Sequence, residues 1–348
     1  MQDISAGIQA IKRQLGDRLC IMGHHYQNDA VVQHCDITGD SLELARRVPQ
    51  VNADHIVFCG VYFMGESAAL LAKPGQAVYL PSMDADCLMS RMTPAPLARK
   101  VLEQLYALGR KVIPLAYVNT DLALKAVVGE YGGAVCTSAN AGIMLQWAMK
   151  QGDGVLFLPD MHLGNNTATV LGIAPHERHV LRIGSRGLVE PEAQALDRKL
   201  LLWPGCCAIH ARFDPDDVRE MRAAHPGCRV IAHPECREDV IAVCDGAGST
   251  SYLIKDAARV AAEAPGSTLI VGTENNLVHR LAARHAGQCR IIPLGHAICG
   301  NMAKVTEKKL WTILEAITAQ KATPLAIEEE LCPPARLSLT RMLEVCGQ

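Results

Sequence analysis

The hydrophobic positions of the 348-residue chain gather in short apolar runs that end in polar or reactive residues. Such runs are typical of strands that are buried on both faces of a parallel sheet. They form three sets of four that recur in the same order along the chain. The runs lie at 19–27, 35–41, 55–66 and 77–87, at 111–120, 133–138, 154–165 and 199–207, and at 228–236, 243–251, 267–276 and 289–299.

A helix-like amphipathic segment precedes each set, at 6–16, 95–110 and 215–227. Alternation of apolar strands with helical segments favours an α/β fold, and repetition at this scale indicates an internal repeat. We therefore predict triplicated three-layer α/β/α units, each with a short parallel four-stranded sheet, arranged around a pseudo-threefold axis.

The repeat also predicts the domain boundaries. Unit 1 covers residues 1–92, unit 2 covers 93–211, unit 3 covers 212–304, and a C-terminal helical segment covers 305–348. Within this segment, residues 323–348 are expected to form a helix that packs on the surface. In unit 2 the last run comes later than in the other two units, because residues 172–198 form an insertion.

The last run of each unit ends in a cysteine, namely Cys87, Cys207 and Cys299. Strand carboxyl ends that face a common axis would bring these thiols to one point. Three thiolates suit a [4Fe-4S] cluster with one open iron, and equally a zinc ion whose fourth ligand is water. Spacing alone leaves both alternatives open, and Cys206 beside Cys207 is the residue most easily mistaken for a ligand.

The other strand ends carry acid–base and anion-binding groups. The first runs end in His24 and Tyr26, in Tyr117 and Asn119, and in His233 and Glu235. Hydroxyl residues stand before helix-like segments, where free backbone N–H groups bind carboxylate or phosphate; they are Ser41, Ser138, Ser249 and Thr250. Taken singly, each residue is also compatible with a structural hydrogen bond or a plain helix cap. Their convergence predicts proton transfer on an anionic substrate.

Composition narrows the class of protein. Hydrophobic residues make up 49% of the chain and the net charge is −2, so no basic footprint for nucleic acid is present. No apolar stretch is long enough to predict a membrane span, and the amphipathic N-terminus does not resemble a signal peptide. Fourteen cysteines without an export signal favour metal ligation or burial over disulfides, and a cytoplasmic location. No glycine-rich dinucleotide or P-loop motif is present.

The ordered motifs resemble those of the quinolinate synthase family. "GHHYQNDAVVQHCDITGDSLELARR" is similar to the family signature, and "GVYFMGES", "YVNT", "CTSANA", "PDMHLG", "HPE", "GSTSYLI" and "VGTE" follow in the family's order. The resemblance covers about residues 6–320. It implies a triplicated α/β fold in which Cys87, Cys207 and Cys299 hold a [4Fe-4S] cluster with an open iron.

The resemblance also implies a reaction. The family condenses iminoaspartate with dihydroxyacetone phosphate to give quinolinate, phosphate and water, which makes this chain a transferase of NAD biosynthesis. Functional coupling to an aspartate-oxidising enzyme that makes iminoaspartate is expected. By motif, Tyr26, His233, Glu235 and Tyr117 are catalytic. The residues expected to hold the substrates are His24, Ser41, Tyr117, Asn119, Ser138, His233, Glu235, Ser249 and Thr250.

Two alternatives and two departures accompany this hypothesis. Another [4Fe-4S]-dependent hydro-lyase on the same scaffold and a non-catalytic zinc or cluster protein are the competing interpretations.

The family commonly has proline after the third cysteine, where this chain has Gly300. The segment "HLGNN" (162–166) lacks the basic or aromatic residues often found there, which puts the contacts of Asn165 and Asn166 in question.

Overall fold

The computed structural model describes residues 3–189 and 197–347. Each of the twelve predicted runs contains a strand. In unit 1 these are β1 (Leu19–His24), β2 (Ile37–Gly39), β3 (His55–Cys59) and β4 (Ala77–Tyr79). Unit 2 has β5 (Val112–Tyr117), β6 (Ala134–Cys136), β7 (Gly154–Leu158), β8 (Arg178–Val180), β9 (Ile183–Gly184), β10 (Gly187–Leu188) and β11 (Leu200–Leu202). Unit 3 has β12 (Arg229–Ala232), β13 (Gly246–Ala247), β14 (Thr268–Gly272) and β15 (Arg290–Pro293).

The three sheets share one topology. Their strand orders are β2-β1-β3-β4, β6-β5-β7-β11-β8 and β13-β12-β14-β15, and all pairings within them are parallel. The central pair of each sheet has an equivalent register, with Ile21 beside Val57, Leu115 beside Phe157, and Ile231 beside Val271. The predicted fold class is therefore confirmed.

The middle sheet has one strand more than the predicted four. Strand β8 comes from the predicted insertion and pairs with β11 at the sheet edge. The antiparallel pair β9–β10 follows, and the backbone N–H of Leu188 donates to the side chain of Gln104 at 2.9 Å. Part of the insertion thus extends the sheet, whereas its residues 190–196 lie outside the described residues.

Helices cover the sheets and connect the strands. Within units 1 and 2 they are α1 (Ile4–Leu15), α2 (Asp29–Val32), α3 (Ser41–Arg47), α4 (Tyr62–Leu71), α5 (Ala95–Ala107), α6 (Leu122–Glu130), α7 (Ala141–Met149) and α8 (Met161–Val170). Unit 3 and the C-terminal segment contain α9 (Pro215–Ala224), α10 (Glu238–Ala242), α11 (Thr250–Glu263), α12 (Asn275–Arg284), α13 (Glu307–Thr318) and α14 (Cys332–Val345). The three predicted unit-leading helices are α1, α5 and α9.

The central strands are apolar throughout because helices cover both faces of each sheet. Every residue of β1, β5 and β7 is buried, which leaves no solvent-facing side that would favour a polar alternation. One hydrophobic core joins units 1 and 2, and unit 3 has a separate core on each face of its sheet. The sheets therefore form rigid supports whose strand carboxyl ends position the site.

The C-terminal segment packs on two different units. Helix α13 contacts α1 of unit 1, and α14 contacts α6 and β6 of unit 2. Ala335, Leu339 and Met342 of α14 are fully buried, so this helix belongs to the core and does more than cover the surface. The exact domain boundaries remain a prediction. None of the described helices combines the length and the apolar composition that crossing a membrane requires.

Candidate active site

A cavity of about 250 Å³ lies at the carboxyl ends of the central strands, between the three units. We call it the central cavity. All but one of the predicted site residues line it, and they come from all three units. They are His24, Tyr26, Ser41, Cys87, Tyr117, Asn119, Ser138, Cys207, His233, Glu235, Thr250 and Cys299. The repeat in the sequence thus corresponds to a real convergence in space.

The three predicted cysteine ligands share this cavity, and Cys206 does not line it. Burial raises the pKa of Cys87 to about 12, and a neighbouring thiol, Cys299, adds to the effect. Burial also raises the pKa of Cys207 and of Cys299. A thiol buried in this way becomes a thiolate when a metal binds it, because the metal replaces the proton.

A carboxyl group accepts a hydrogen bond from the backbone N–H of each cysteine. Cys87 N donates to its neighbour Asp86 at 2.9 Å, and Cys207 N donates to Asp160 Oδ2 at 3.1 Å. Cys299 N donates to Glu274 Oε1 at 3.4 Å. Asp160 and Glu274 follow the third strands of their units, so the same structural position supports two of the three cysteines. Such outer contacts fix the orientation of ligands around a metal centre.

The donor atoms of the three cysteines do not all lie close enough together for one zinc ion in the described structure. Two sulfurs bound to one zinc at about 2.3 Å each can be at most about 4.6 Å apart. Among the described residues, the ligand group whose donor atoms all lie within 4.8 Å of one another is Cys207, His210 and Glu235, and the three cysteines do not form such a group. The three cysteines supply the donor type that an iron–sulfur cluster takes, whereas the compact group of Cys207, His210 and Glu235 has donors that zinc also accepts.

Glu235 and two histidines form the acid–base group of the cavity. Glu235 and His233 are each 3% exposed, and His210 is 1% exposed. Glu235 Oε2 lies 2.5 Å from His210 Nδ1 and 3.7 Å from His233 Nδ1. Burial acts to raise the pKa of Glu235, but the two histidines outweigh it and hold that pKa below its ordinary value. Burial lowers the pKa of His233 to about 3, so its ring is neutral at pH 7.

Two tyrosines and an asparagine complete the polar wall. Burial, followed by the nearby Glu235 carboxylate, raises the pKa of Tyr26 and of Tyr117, so both phenols remain protonated. Asn119 Oδ1 is buried and has no hydrogen-bond partner within the described part of the chain. An unpaired buried carbonyl oxygen is costly unless a ligand supplies the donor. This orphaned atom supports the predicted role of Asn119 in holding a bound molecule.

The hydroxyl residues lie near helix starts, with differences from the prediction. Ser41 is the first residue of α3, but the Asp40 carboxylate already accepts from Leu42 N and Glu43 N at 3.0 Å. Ser138 precedes α7 by three residues. Thr250 begins α11 and lines the cavity. The hydroxyl of Ser249 accepts from Tyr252 N at 3.3 Å as the cap of α11 and is not part of the cavity wall.

Two residues that the sequence did not single out support the acid–base group. His210 stacks on His233 with ring centroids 4.5 Å apart, and its Nε2 lies 3.0 Å from Thr273 Oγ1. His210 follows Cys207 by three residues, and this spacing was the available signal. Thr273 is in the "VGTE" motif, yet a threonine at a strand end has no chemical signature of its own.

The two departures in sequence have different structural outcomes. Asn166 Nδ2 donates to the carbonyls of Pro234 and Cys236 at 2.8 and 2.7 Å, so it anchors the loop that carries His233 and Glu235. Asn165 instead accepts from Arg178 at 3.3 Å through its side chain. At Gly300 an added Cβ would have no neighbour within 4 Å, so the backbone there does not require glycine.

No lysine or arginine of the described residues lines the central cavity. Lys125 is a buried cation behind the wall, since its Nζ lies 5.4 Å from the ring centroid of Phe63, and Phe63 is part of the wall. Burial lowers the pKa of Lys125 to about 8. The side chains on the described wall that can donate hydrogen bonds to an anion are therefore hydroxyl, amide and imidazole groups.

Fold and site together define a class: a triplicated α/β protein whose three units each contribute one cysteine and a set of acid–base residues to a common cavity. The profile of the family "Quinolinate synthetase A protein" matches residues 6–344. The quinolinate synthase of Corynebacterium glutamicum is 40% identical, with 97% of this chain and 86% of that protein aligned.

Two further relatives give the same result. The quinolinate synthase of Streptomyces coelicolor is 40% identical over 98% of this chain and 88% of its own length. That of Bacillus velezensis is 39% identical over 98% of this chain and 94% of its own length. The chain belongs to the quinolinate synthase family, and the resemblance seen in the sequence motifs is confirmed.

Proposed function

We propose that this chain is a [4Fe-4S]-dependent quinolinate synthase. In this proposal it is a transferase that condenses iminoaspartate with dihydroxyacetone phosphate, giving quinolinate, phosphate and water for NAD biosynthesis. The observation that carries the proposal is the meeting of three equivalent cysteines with Glu235 and its histidines in one cavity. Family membership independently supports it.

Cys87, Cys207 and Cys299 would hold the cluster, which supplies a Lewis acid at its one iron without a protein ligand and so assists the loss of a hydroxyl group. The chain itself has to bind the substrates, exclude water and move protons. The buried carboxylates behind Cys207 and Cys299 keep the backbone of these ligands in place.

Proton transfer falls to the groups beside the cysteines. Glu235 is an ionised, buried carboxylate and acts as the base that removes a proton from carbon. Tyr26 and Tyr117 keep their protons and serve as hydrogen-bond donors or acids toward substrate oxygens. His233 is neutral and can therefore accept or donate through its ring nitrogens without adding charge.

The anionic groups of the substrates are held by neutral donors. The hydroxyls of Ser41, Ser138 and Thr250 and the imidazole of His24 line the cavity and come from all three units. The amide of Asn119 offers both a donor and the unpaired Oδ1 acceptor. Anion contacts from more than one unit favour a dicarboxylate and a phosphate ester over the single small hydroxy acid of a simpler cluster-dependent hydro-lyase.

The direct test is anaerobic purification followed by incubation with iminoaspartate and dihydroxyacetone phosphate. Quinolinate and free phosphate are expected, with about four irons and four sulfides per chain and a [4Fe-4S] signal in the electron paramagnetic resonance spectrum of the reduced protein. Protein that contains zinc, or that carries a full cluster and makes no quinolinate, would contradict the proposal.

The Glu235→Gln variant separates catalysis from a structural role. It should retain the iron and sulfide of the unmodified enzyme and lose turnover by roughly 10²-fold or more, because the base is gone. Glu238→Gln, which alters a half-exposed carboxylate in the same segment, is the control and should keep normal turnover. Equal activity in the two variants would favour a non-catalytic cluster protein.

We also propose a cytoplasmic enzyme that is functionally coupled to an aspartate-oxidising enzyme. Iminoaspartate is a hydrolytically unstable imine, so a reaction that oxidises aspartate has to supply it close in time to its use. Quinolinate formation from aspartate in a mixture of the two enzymes should depend on both. Formation of quinolinate from aspartate by this chain alone would contradict the coupling.

A further inference from the structure

Arg280 of helix α12, in unit 3, contacts the loop that follows β1 in unit 1. Its Nη1 donates to the carbonyl of His25 at 2.8 Å, and its Nη2 donates to the carbonyl of Gln27 at 2.6 Å. Among the described residues, no backbone N–H group donates to either carbonyl. The residue between these two is Tyr26, whose side chain lines the central cavity. The guanidinium thus binds the backbone on both sides of a catalytic candidate.

A second side chain of α12 supplies the remaining contact with this loop. Asn276 lies one helical turn before Arg280 on the same face of the helix, and its Nδ2 donates to Tyr26 O at 3.2 Å. Three successive carbonyls of the loop therefore accept from one helix face. A carbonyl that is removed from water and has no donor is costly, so these side chains determine where the loop lies.

The same helix is fixed to the loop that carries the third cysteine. The backbone N–H of Asn275, the first residue of α12, donates to Ala297 O at 2.8 Å, and Asn275 Oδ1 accepts from Ala297 N at 3.1 Å. Glu274, directly before the helix, accepts from Cys299 N at 3.4 Å. A helix of ten residues is a more precise support than a loop, so α12 fixes the loop around Tyr26 relative to Cys299.

The contact between Arg280 and Asp29 is of a different kind. Arg280 Nε lies 2.5 Å from Asp29 Oδ1, but the side chain of Asp29 is 66% exposed, whereas that of Arg280 is 17% exposed. Exposed ion pairs contribute little to stability, because water and salt screen them. The two carbonyl contacts, which a planar guanidinium makes at the same time, are therefore the ones that hold the loop.

We propose that Arg280 is a positioning residue that holds the loop of residues 25–28 so that His24 and Tyr26 face the substrates. The inference rests on the proposed quinolinate synthase activity. Without the guanidinium, the two carbonyls have to accept from water. A cleft of about 290 Å³, lined by His25 and Arg280 among others, gives that water access and the loop room to move. A displacement of about 1 Å at a catalytic group costs roughly 10²-fold in rate.

The test compares Arg280→Ala with Arg284→Ala in the anaerobically purified full-length enzyme. Arg284 lies one turn further along α12, is exposed, and lines the same cleft. Arg280→Ala should keep normal iron and sulfide content and lower kcat roughly 10- to 100-fold. Arg284→Ala should keep kcat within about twofold, and so should Asp29→Asn, because the exposed ion pair contributes little.

Chemical rescue separates positioning from a mere loss of folded protein. Guanidinium ion at non-denaturing concentrations should raise kcat of Arg280→Ala at least about threefold, because it can donate to the same two carbonyls. Sodium chloride at the same ionic strength should not, and guanidinium should not raise kcat of Arg284→Ala. Arg280→Lys keeps the charge without the planar fork, so it should recover only part of the lost kcat.

Amide hydrogen exchange provides a measurement that needs no substrate. In Arg280→Ala, peptides that cover residues 25–28 should exchange at least about tenfold faster than in the unmodified enzyme, because the loop opens more often. Peptides from α1, which lies outside this contact, should exchange at the unmodified rate.

Normal kcat in Arg280→Ala, unchanged exchange of residues 25–28, absence of rescue, or an equal loss of kcat in Arg284→Ala would each overturn the positioning role. If Arg280→Ala does not retain iron, Arg280→Gln, which keeps an amide donor, takes its place in the kinetic and exchange comparisons. Absence of quinolinate with the unmodified enzyme would instead contradict the proposed function. The exchange measurement would still decide whether Arg280 holds the loop, so the two failures are distinguishable.

Discussion

Cys206 and Cys207 are adjacent in the chain, and only the second lines the central cavity. Cys206 is partly exposed, and its backbone N–H donates to Met92 Sδ at 3.4 Å. Both cysteines lie in the loop after β11, where no strand alternation predicts the direction of a side chain, so the sequence alone could not exclude Cys206 by chemistry.

Replacing the ligands one at a time tests this assignment. Cys87→Ala, Cys207→Ala and Cys299→Ala should each abolish or strongly reduce bound iron, because two thiolates do not hold the cluster. Cys206→Ala should keep normal iron and sulfide content and is the matched control. Full iron in any one of the first three variants, measured by metal analysis after anaerobic reconstitution, would contradict the ligand set.

His24 and His233 connect the site to the pH dependence of stability. Burial, and then the neighbouring His25, lower the pKa of His24 to about 3, and burial lowers that of His233 to about 3. In the unfolded chain both titrate near the ordinary value of 6.5. Between about pH 3 and 6.5 the unfolded chain thus binds protons that the native protein does not.

Stability should therefore fall as the pH drops below about 6.5, by roughly 1.4 kcal/mol per pH unit for each buried histidine. His24→Asn keeps an acceptor for Tyr26 N, which donates to His24 Nδ1 at 3.1 Å, and should make the pH dependence shallower by about one proton. His176→Asn, at an exposed position, should leave it unchanged. Thermal unfolding of the cluster-free unmodified protein and of the two variants between pH 5 and 8 measures how stability changes with pH. The same pH dependence in all three proteins would contradict the prediction.

At the scale of elements, α8 is connected to the loop between β12 and α10. Asn166 lies on α8 and donates to two backbone carbonyls of the loop that carries His233 and Glu235. A buried carbonyl that loses its only donor costs about 1–3 kcal/mol. This contact joins units 2 and 3 directly beside the acid–base group.

Asn166→Ala should accordingly lower the free energy of unfolding by about 1–3 kcal/mol and reduce kcat more than KM, because the loop shifts. Asn165→Ala removes a side-chain contact to Arg178, away from the central cavity, and is the control with little effect on kcat. Denaturant unfolding and steady-state kinetics provide the measurements. Normal kcat in Asn166→Ala would mean that the loop keeps its position without this anchor.

At the scale of the whole molecule, the C-terminal helix α14 reaches back to unit 2. Gly129 of α6 permits the close approach, since an added Cβ there would overlap the carbonyl oxygen of Pro334. Backbone oxygen cannot move aside as a flexible side chain can, so a larger residue has to displace α14.

We expect Gly129→Ala to destabilise the protein by about 1–3 kcal/mol, although alanine is the better helix former. Gly142→Ala, on α7, is the matched control, because its Cβ would meet only Leu171 Cδ2 at 3.9 Å. That variant should be neutral or stabilised by up to about 1 kcal/mol. The melting temperatures of the two variants, each compared with that of the unmodified protein, test this prediction. Equal changes in the two variants would contradict the close packing of α14 against Gly129.

The sequence by itself determined the repeating part of this protein. The twelve apolar runs reflect burial, because strands covered on both faces are mostly apolar. Their order and the cysteine that closes each set could be read directly from the sequence. Those local signals were enough to predict the fold class. Twelve of the thirteen predicted site residues line one cavity, Ser249 being the exception, and their roles remain a prediction.

Only the tertiary structure decided contacts between side chains that are distant in the chain. The contacts of His210 with Glu235 and Thr273 and the anchoring by Asn166 depend on distances across units, and no local pattern specifies them. The extra strand β8 likewise depends on a free edge beside β11. Burial leaves a periodic signal in sequence, whereas a hydrogen bond between two units leaves none, because either residue type has many other local uses.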